Sequence, residues 1–215
     1  MGMSEIKELR QRTGAGILDC KKALGESGGD VEKAIDWLRS KGVAKAAKKS
    51  GRAATEGLVH AYVHGAGKIG VLVEVNAETD FVARNDQFQE LCNDIALHIA
   101  ASAPEYVRIE DVPDAVVAKE RQVQKQLVIE EGKPEHIADK IVDGRMKKFF
   151  QDLCLLEQPF VKDDKKTVNQ VLTEAVGRIG ENIQVRRFSR FVLGEGLEKR
   201  VDDFASEVAK TAGVA

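Results

Sequence analysis

The sequence predicts an α+β protein: an N-terminal three-helix bundle, a core of a three-stranded antiparallel sheet with helices, and a projecting antiparallel helical hairpin. Three observations carry that prediction. Apolar residues repeat at helical spacing through residues 1–53, then alternate from Val59 to Val75 and again from Ile183 to Val192. The glycine-bearing stretch from His64 to Lys68 joins two alternating runs as a hairpin loop. All four prolines, Pro104, Pro113, Pro134 and Pro159, fall in one middle stretch, which reads as an insertion.

Each element has its own signal. Ser4 is the N-cap expected for a first helix with Ile6 and Leu9 on one face, stopped at Thr13-Gly14-Ala15-Gly16. A second helix carries Ile17, Cys20 and Leu24 and ends in Gly25 to Gly29, and Asp30 caps a third. The stripe of that third helix, Val31, Ala34, Ile35 and Leu38, closes at Gly42. From Lys41 to Arg52 the chain is basic and alanine-rich, a partly helical linker ending in Gly57. Two strands follow: Val59, Ala61 and Val63 alternate with His60, Tyr62 and His64, and Ile69, Val71, Val73 and Val75 with Gly70, Leu72, Glu74 and Asn76. A helix with Phe88, Leu91, Ile95 and Ile99 on one face then runs up to Pro104.

The insertion reads as two helices. Val116, Glu120, Val123 and Leu127 have seam spacing, the chain turns at Glu131-Gly132-Lys133-Pro134, and Ile137 and Ile141 continue on the second helix. Thr167 with Gln170 forms a capping box ahead of Val168, Val171, Leu172 and Ala175. The segment from Ile183 to Val192 is the third strand, and a last helix carries Val201, Phe204, Ala205, Val208 and Ala212. The organisation expected is a bundle and basic linker (1–53), a core hairpin and helix (54–110), the helical insertion (111–158), core completion (159–196) and a C-terminal helical module (197–215).

Composition narrows the function. The 215 residues include 33 Lys+Arg against 35 Asp+Glu, a net charge of −2 that argues against a wholly basic nucleic-acid binder. The charge is nonetheless split: residues 1–53 hold 12 basic and 7 acidic side chains, a net of +5, and residues 54–110 hold 3 and 9, a net of −6. No stretch approaches the ~18 consecutive apolar residues of a membrane span, and the N-terminus turns amphipathic by Ser4 with no charged, apolar and small-residue succession, so export is not expected. Met1-Gly2 lacks the serine or threonine of a myristoylation signal, since that place is Ile6. The cysteines, Cys20, Cys92 and Cys154, are odd in number and widely spaced, so a disulfide framework or zinc site is not expected. They read as small apolar side chains in a reducing compartment, which fits the cytoplasm.

No motif carries catalysis. Gly25-Glu-Ser-Gly-Gly29 matches the serine-hydrolase string G-x-S-x-G, but that chemistry needs a strand before the serine, and here the string joins two helices. The G-x-G strings at Gly14 and Gly65 lack a dinucleotide setting and there is no phosphate loop, so neither a cofactor nor direct nucleotide binding is expected. His60 and His64 lack a third ligand nearby and read as a solvent- or partner-facing pair rather than a metal site. The turn Asn76-Ala-Glu-Thr-Asp80-Phe81-Val82 has two readings. In one, Thr79 or Asp80 caps the next helix and Phe81 packs on the same face as Phe88. In the other, a rigid sheet displays an aromatic and a carboxylate to a partner. Spacing leaves both open.

Long strings of the chain resemble one family. Lys7-Glu-Leu-Arg-Gln-Arg-Thr-Gly-Ala-Gly-Ile-Leu-Asp-Cys-Lys-Lys-Ala-Leu24, Glu74-Val-Asn-Ala-Glu-Thr-Asp-Phe-Val-Ala83, Asp143-Gly-Arg-Met-Lys-Lys-Phe149, Gln158-Pro-Phe-Val161 and Ile179-Gly-Glu-Asn-Ile-Gln-Val-Arg-Arg187 are similar to bacterial translation elongation factor Ts in its short form. The resemblance implies a guanine-nucleotide exchange factor, not an enzyme, acting on elongation factor Tu in its GDP-bound and nucleotide-free states. It implies a ubiquitin-associated-like bundle that meets the partner through Arg10, Ile17, Leu18 and Lys21. The Thr79-Asp80-Phe81-Val82 turn becomes the wedge that displaces magnesium, with further partner contacts at Ile179, Gly180 and His64. The hairpin resembles the family's coiled-coil protrusion. Longer members repeat the core, whereas one set of strands is found here, so a homodimer is expected to complete the missing half. The runner-up reading is a basic helical nucleic-acid-binding protein of the translation apparatus, using the +5 bundle and linker.

Overall fold

The computed structural model describes residues 3–197, so the last helix expected over Val201–Ala212 lies outside the described residues. Three helices come first: α1 (Met3–Thr13), α2 (Ile17–Glu26) and α3 (Val31–Ala47). They share a small core of Ile6, Leu9, Cys20, Ala23, Leu24 and Ala34. Asp30 caps α3 by accepting from the Lys33 N–H at 3.0 Å. Two details differ from expectation. Ser4 lies inside α1, its hydroxyl donating to Glu5 rather than capping the helix. Helix α3 does not stop at Gly42 but runs on to Ala47, and Gly42 lies inside it where a second helix crosses at backbone distance.

The chain next forms β1 (Glu56–His64) and β2 (Ile69–Ala77), an antiparallel pair with Leu58 opposite Val75 and Tyr62 opposite Val71. A four-residue helix, α4 (Asp80–Ala83), leads into α5 (Asp86–Ser102), whose Phe88, Leu91, Ile95 and Ile99 are all buried. The insertion is a pair of helices, α6 (Asp114–Glu130) and α7 (Glu135–Leu153), followed by a short hairpin of β3 (Pro159–Phe160) and β4 (Asp163–Thr167) that the sequence reading missed. Helix α8 (Val168–Ile179) opens on the expected capping box, Thr167 with Gln170. Strand β5 (Gln184–Val192) pairs with β2, giving the sheet order β1-β2-β5, all antiparallel. The protein is therefore α+β, with the inner sheet face, α5 and α8 sharing the main core.

Burial corrects two assignments of side-chain direction. On β1 it is Leu58 and Tyr62 that pack against the core, while Val59 and Val63 face outward, 64% and 68% exposed. His60 accordingly sits on the inner, half-buried side rather than presenting itself to solvent with His64. In the hairpin, Ile141 of α7 packs on the core as expected, but the apolar seam of α6 is one residue away from the expected one. Val128, Ala138, Val142 and Met146 form the hairpin core with Val117 packed against them, leaving Val116, Val123 and Leu127 exposed. Adjacent apolar pairs such as Val116-Val117 and Leu127-Val128 allow either frame, and only the facing helix chooses between them.

Candidate functional site

The turn between β2 and α5 is the best-defined candidate site. Thr79 stands at the N-cap position of α4 in extended backbone, yet its side chain makes no capping bond. Its hydroxyl donates instead to Glu181 Oε1 at 2.7 Å and its N–H donates to Glu181 Oε2 at 3.0 Å. Asp80 pairs with Arg84 at 3.1 Å, both side chains largely exposed. Phe81 is 78% exposed, and Val82, half-buried, packs on the main core. The packing reading of Phe81 therefore fails. Helix α4 ends at Ala83 and Asn85 starts a new helix by accepting from Gln87 N–H at 2.8 Å, so Phe81 and Phe88 do not share one helical face. Phe81 therefore contributes little to the stability of the free protein and stands available to a partner.

The loop after α8 lies against this turn. Gly180 ends α8 in the left-handed region, φ +90°, where a side chain would be strained. Asn182 N–H donates to Glu78 Oε1 at 2.7 Å, and Arg52 pairs with Glu78 Oε2 at 3.4 Å. The Asn182 N–H, followed by Arg52 and Lys49, holds the Glu78 carboxyl below its usual range despite partial burial. Lys49 donates to the Gly180 carbonyl, and the Asn182 amide donates to the Arg52 carbonyl at 2.7 Å. Ile179 is half-buried on the core. The turn bearing Thr79–Val82 and the loop bearing Ile179 and Gly180 are thus one connected structure. Glu78, Glu181, Asn182, Lys49 and Arg52 build it and were not singled out from the sequence. Glu181 and Asn182 lie 102 and 104 positions from their acceptors or donors, beyond any local signal.

The remaining candidates lie elsewhere on the surface. Ile17 and Leu18 are 55% and 83% exposed at the start of α2, with Lys21 exposed one turn on and Arg10 exposed on α1. Ile17, which the periodic pattern would place inward, leaves the bundle core to Cys20, Ala23 and Leu24. His64 is exposed at the end of β1, its Nδ1 2.9 Å from the Tyr62 hydroxyl. Ser27 ends α2 in a turn between two helices, with Gly29 N–H donating to Leu24 carbonyl at 2.8 Å. Among the described residues, no group of three His, Cys, Asp or Glu could hold a metal ion, and no helix is long and apolar enough to cross a membrane.

These features define an α+β scaffold that holds an exposed aromatic and carboxylate on a braced turn and an exposed apolar-and-basic patch on a small helical bundle. A family model described as Elongation factor TS matches residues 42–195. The chain is 61% identical over 203 residues to an elongation factor Ts of Heliobacterium modesticaldum, covering 94% of both chains. It is 59% identical over 211 residues to that of Geobacter sulfurreducens, covering 98% of each. With that of an Anaeromyxobacter species it shares 62% identity over 209 residues, 97% of this chain and 95% of the other. The chain belongs to the elongation factor Ts family, whose role is in translation elongation during protein biosynthesis.

Proposed function

We propose that this chain is the guanine-nucleotide exchange factor of elongation factor Tu, binding it with GDP, displacing magnesium and releasing GDP so that GTP can enter. The observation that carries this reading is Phe81, 78% exposed beside Asp80 on a turn fixed from behind. Buried in a partner, such a side chain contributes far more than it can in the free protein. A carboxylate and an aromatic pressed against a nucleotide site disturb a bound divalent cation by competing charge and by steric displacement, and loss of the cation weakens the hold on the diphosphate. Exchange of this kind breaks no covalent bond in the factor and requires no catalytic residue. Binding nucleotide-free partner more tightly than the GDP form weakens GDP by the same factor. A thousandfold effect needs about 4 kcal/mol of differential binding.

In this reading the ubiquitin-associated-like bundle docks through Arg10, Ile17, Leu18 and Lys21, Thr79–Val82 form the wedge, and Ile179, Gly180 and His64 make further contacts. The insertion is the coiled-coil protrusion, and residues 197–215 are the C-terminal module. The setting is the cytoplasm. The test is release of fluorescent GDP from purified elongation factor Tu. Phe81→Ala and Asp80→Ala should each slow release at least tenfold with unchanged melting temperature, and unchanged rates would reject the wedge.

We also propose a homodimer. Its support is the outer sheet face, where Val63, Gly70 and Phe191 lie in one row and Ala61, Leu72 and Ser189 in the next. Val59, Val63, Leu72 and Phe191 are 64%, 68%, 48% and 66% exposed there. Glu74, held down to about 2 by Arg186 and Arg187, borders this patch. A sheet with one apolar face uncovered is suited to packing on a second sheet.

A further inference from the structure

We propose that Glu181, with Glu78 opposite it, is a positioning residue for exchange, fixing the Thr79–Val82 turn in the geometry that meets the partner. This rests on the wedge reading and extends it to residues that would not touch the nucleotide site themselves.

Little else holds the tip. Helix α4 has four residues, too few to be stable by its own hydrogen bonds. Phe81 contributes almost no burial, Asp80 pairs with the exposed Arg84, and of the short helix Val82 and Ala83, both half-buried, pack on the core. Thr79 leaves its capping role unmade. What remains is a reciprocal strap. Glu181 takes both donors of Thr79, at 2.7 and 3.0 Å, and Glu78 takes the Asn182 N–H at 2.7 Å. Each loop thus supplies a carboxylate to the backbone of the other, and charge-assisted bonds of this kind are about twice as strong as neutral ones. The strap is closed on its third side by the linker that follows α3, through Arg52 on Glu78 and Lys49 on Gly180.

The function of such a strap is to raise the fraction of molecules whose tip is already in its binding geometry. If that fraction falls, the interaction made in the wedged state weakens in proportion. The bundle contacts at Arg10, Ile17, Leu18 and Lys21 are on a separate core, so initial docking should keep its strength. Removing Glu181 is therefore expected to lower the maximal release rate and leave the half-saturating factor concentration in place.

The experiment is fluorescent GDP release from elongation factor Tu over a range of factor concentrations, with melting temperature alongside. Glu181→Ala should lower the maximal rate about tenfold, which corresponds to roughly 1.4 kcal/mol. Glu181→Gln should recover to within about threefold, because its oxygen can accept from Thr79 N–H while its amide donates to a reversed Thr79 hydroxyl. Thr79→Val, which removes one of the two bonds at constant shape, should fall between them. In a Phe81→Ala background, Glu181→Ala should cost nothing more. An unchanged maximal rate for Glu181→Ala, or an equal loss with and without Phe81, overturns the positioning role while leaving the wedge standing. Phe81→Ala without effect overturns both. Should Glu181→Ala melt too low to assay, Glu181→Gln and Thr79→Val decide by the same criterion of rate against half-saturation.

Discussion

Gly177 on α8 lies so close to Gly42 on α3 that a Cβ added to it would come within 2.7 Å of the Gly42 Cα and 3.1 Å of its carbonyl oxygen. The two helices cross here at backbone distance, and this crossing sets the N-terminal bundle on the core. A Cβ on Gly42 would meet only the Gly177 Cα, at an ordinary 3.9 Å. The contact is thus asymmetric, and so should be its mutational cost. Gly177→Ala should destabilise by about 1–3 kcal/mol through overpacking. Gly42→Ala should be neutral or stabilising by up to about 1 kcal/mol, because alanine is the better helix former. Urea unfolding of the two variants checks this, and equal effects would mean that the crossing is loose.

His98 gives a prediction in pH. It is fully buried, its Nδ1 accepts the Val161 N–H at 3.1 Å, and its Nε2 faces Gln158 Oε1 at 2.9 Å. The proton of the neutral ring belongs on Nε2, and a second proton would point at the Val161 donor. Burial holds the group below its usual 6.5, against a smaller opposing contribution from Gln158. Below about 6.5 the unfolded chain binds a proton that the folded one refuses, so stability is complete above that pH and is lost as pH falls from it. The loss should approach about 1.4 kcal/mol per pH unit until the folded ring titrates. Unfolding curves at pH 7.5, 6.5 and 5.5 should show it, and His98→Gln should flatten the dependence over that window.

The thiols should be inert in the native state. Burial pushes Cys92 up to about 12 and Cys154 up to about 11, and raises Cys20 as well. A thiol reagent at pH 8 should label them only as fast as the protein opens, while all three should react promptly in denaturant. Rapid stoichiometric labelling of the folded protein would contradict the burial.

The outer sheet face gives the fourth. If two chains pack through it, the protein should sediment as a dimer at micromolar concentration, and Leu72→Glu should shift it to a monomer without lowering helix content. A monomeric parent protein would reject that interface.

How much was legible in advance differs by element. Helix α5 and the Thr167 capping box were readable because their signals are local: four apolar residues at helical spacing, and two side chains three apart. Alternation from Ile183 marked the third strand, but the order β1-β2-β5, with β2 central, came only from its pairing in the structure. The seam of α6 lies one residue from the expected stripe because neighbouring valines and leucines supply two equivalent stripes, whereas Ile141 of α7 packs as expected. Residues 74–83 could be picked out as a string, but whether Phe81 packs or protrudes depends on where α4 ends. That end is set by Asn85, which caps the next helix, while the Glu181 strap on Thr79 fixes where α4 begins.

The sequence by itself determined the α+β class, the bundle, the hairpin loop, the insertion and the family, because each rests on spacing within about thirty residues or on long identical strings. Only the tertiary structure decided which side of β1 meets the core, that Phe81 stands in solvent, and that Glu78 and Glu181 lock two distant loops together. The side of β1 depends on its packing against β2 and α5, and the strap on bonds between residues more than a hundred positions apart, and local spacing carries neither.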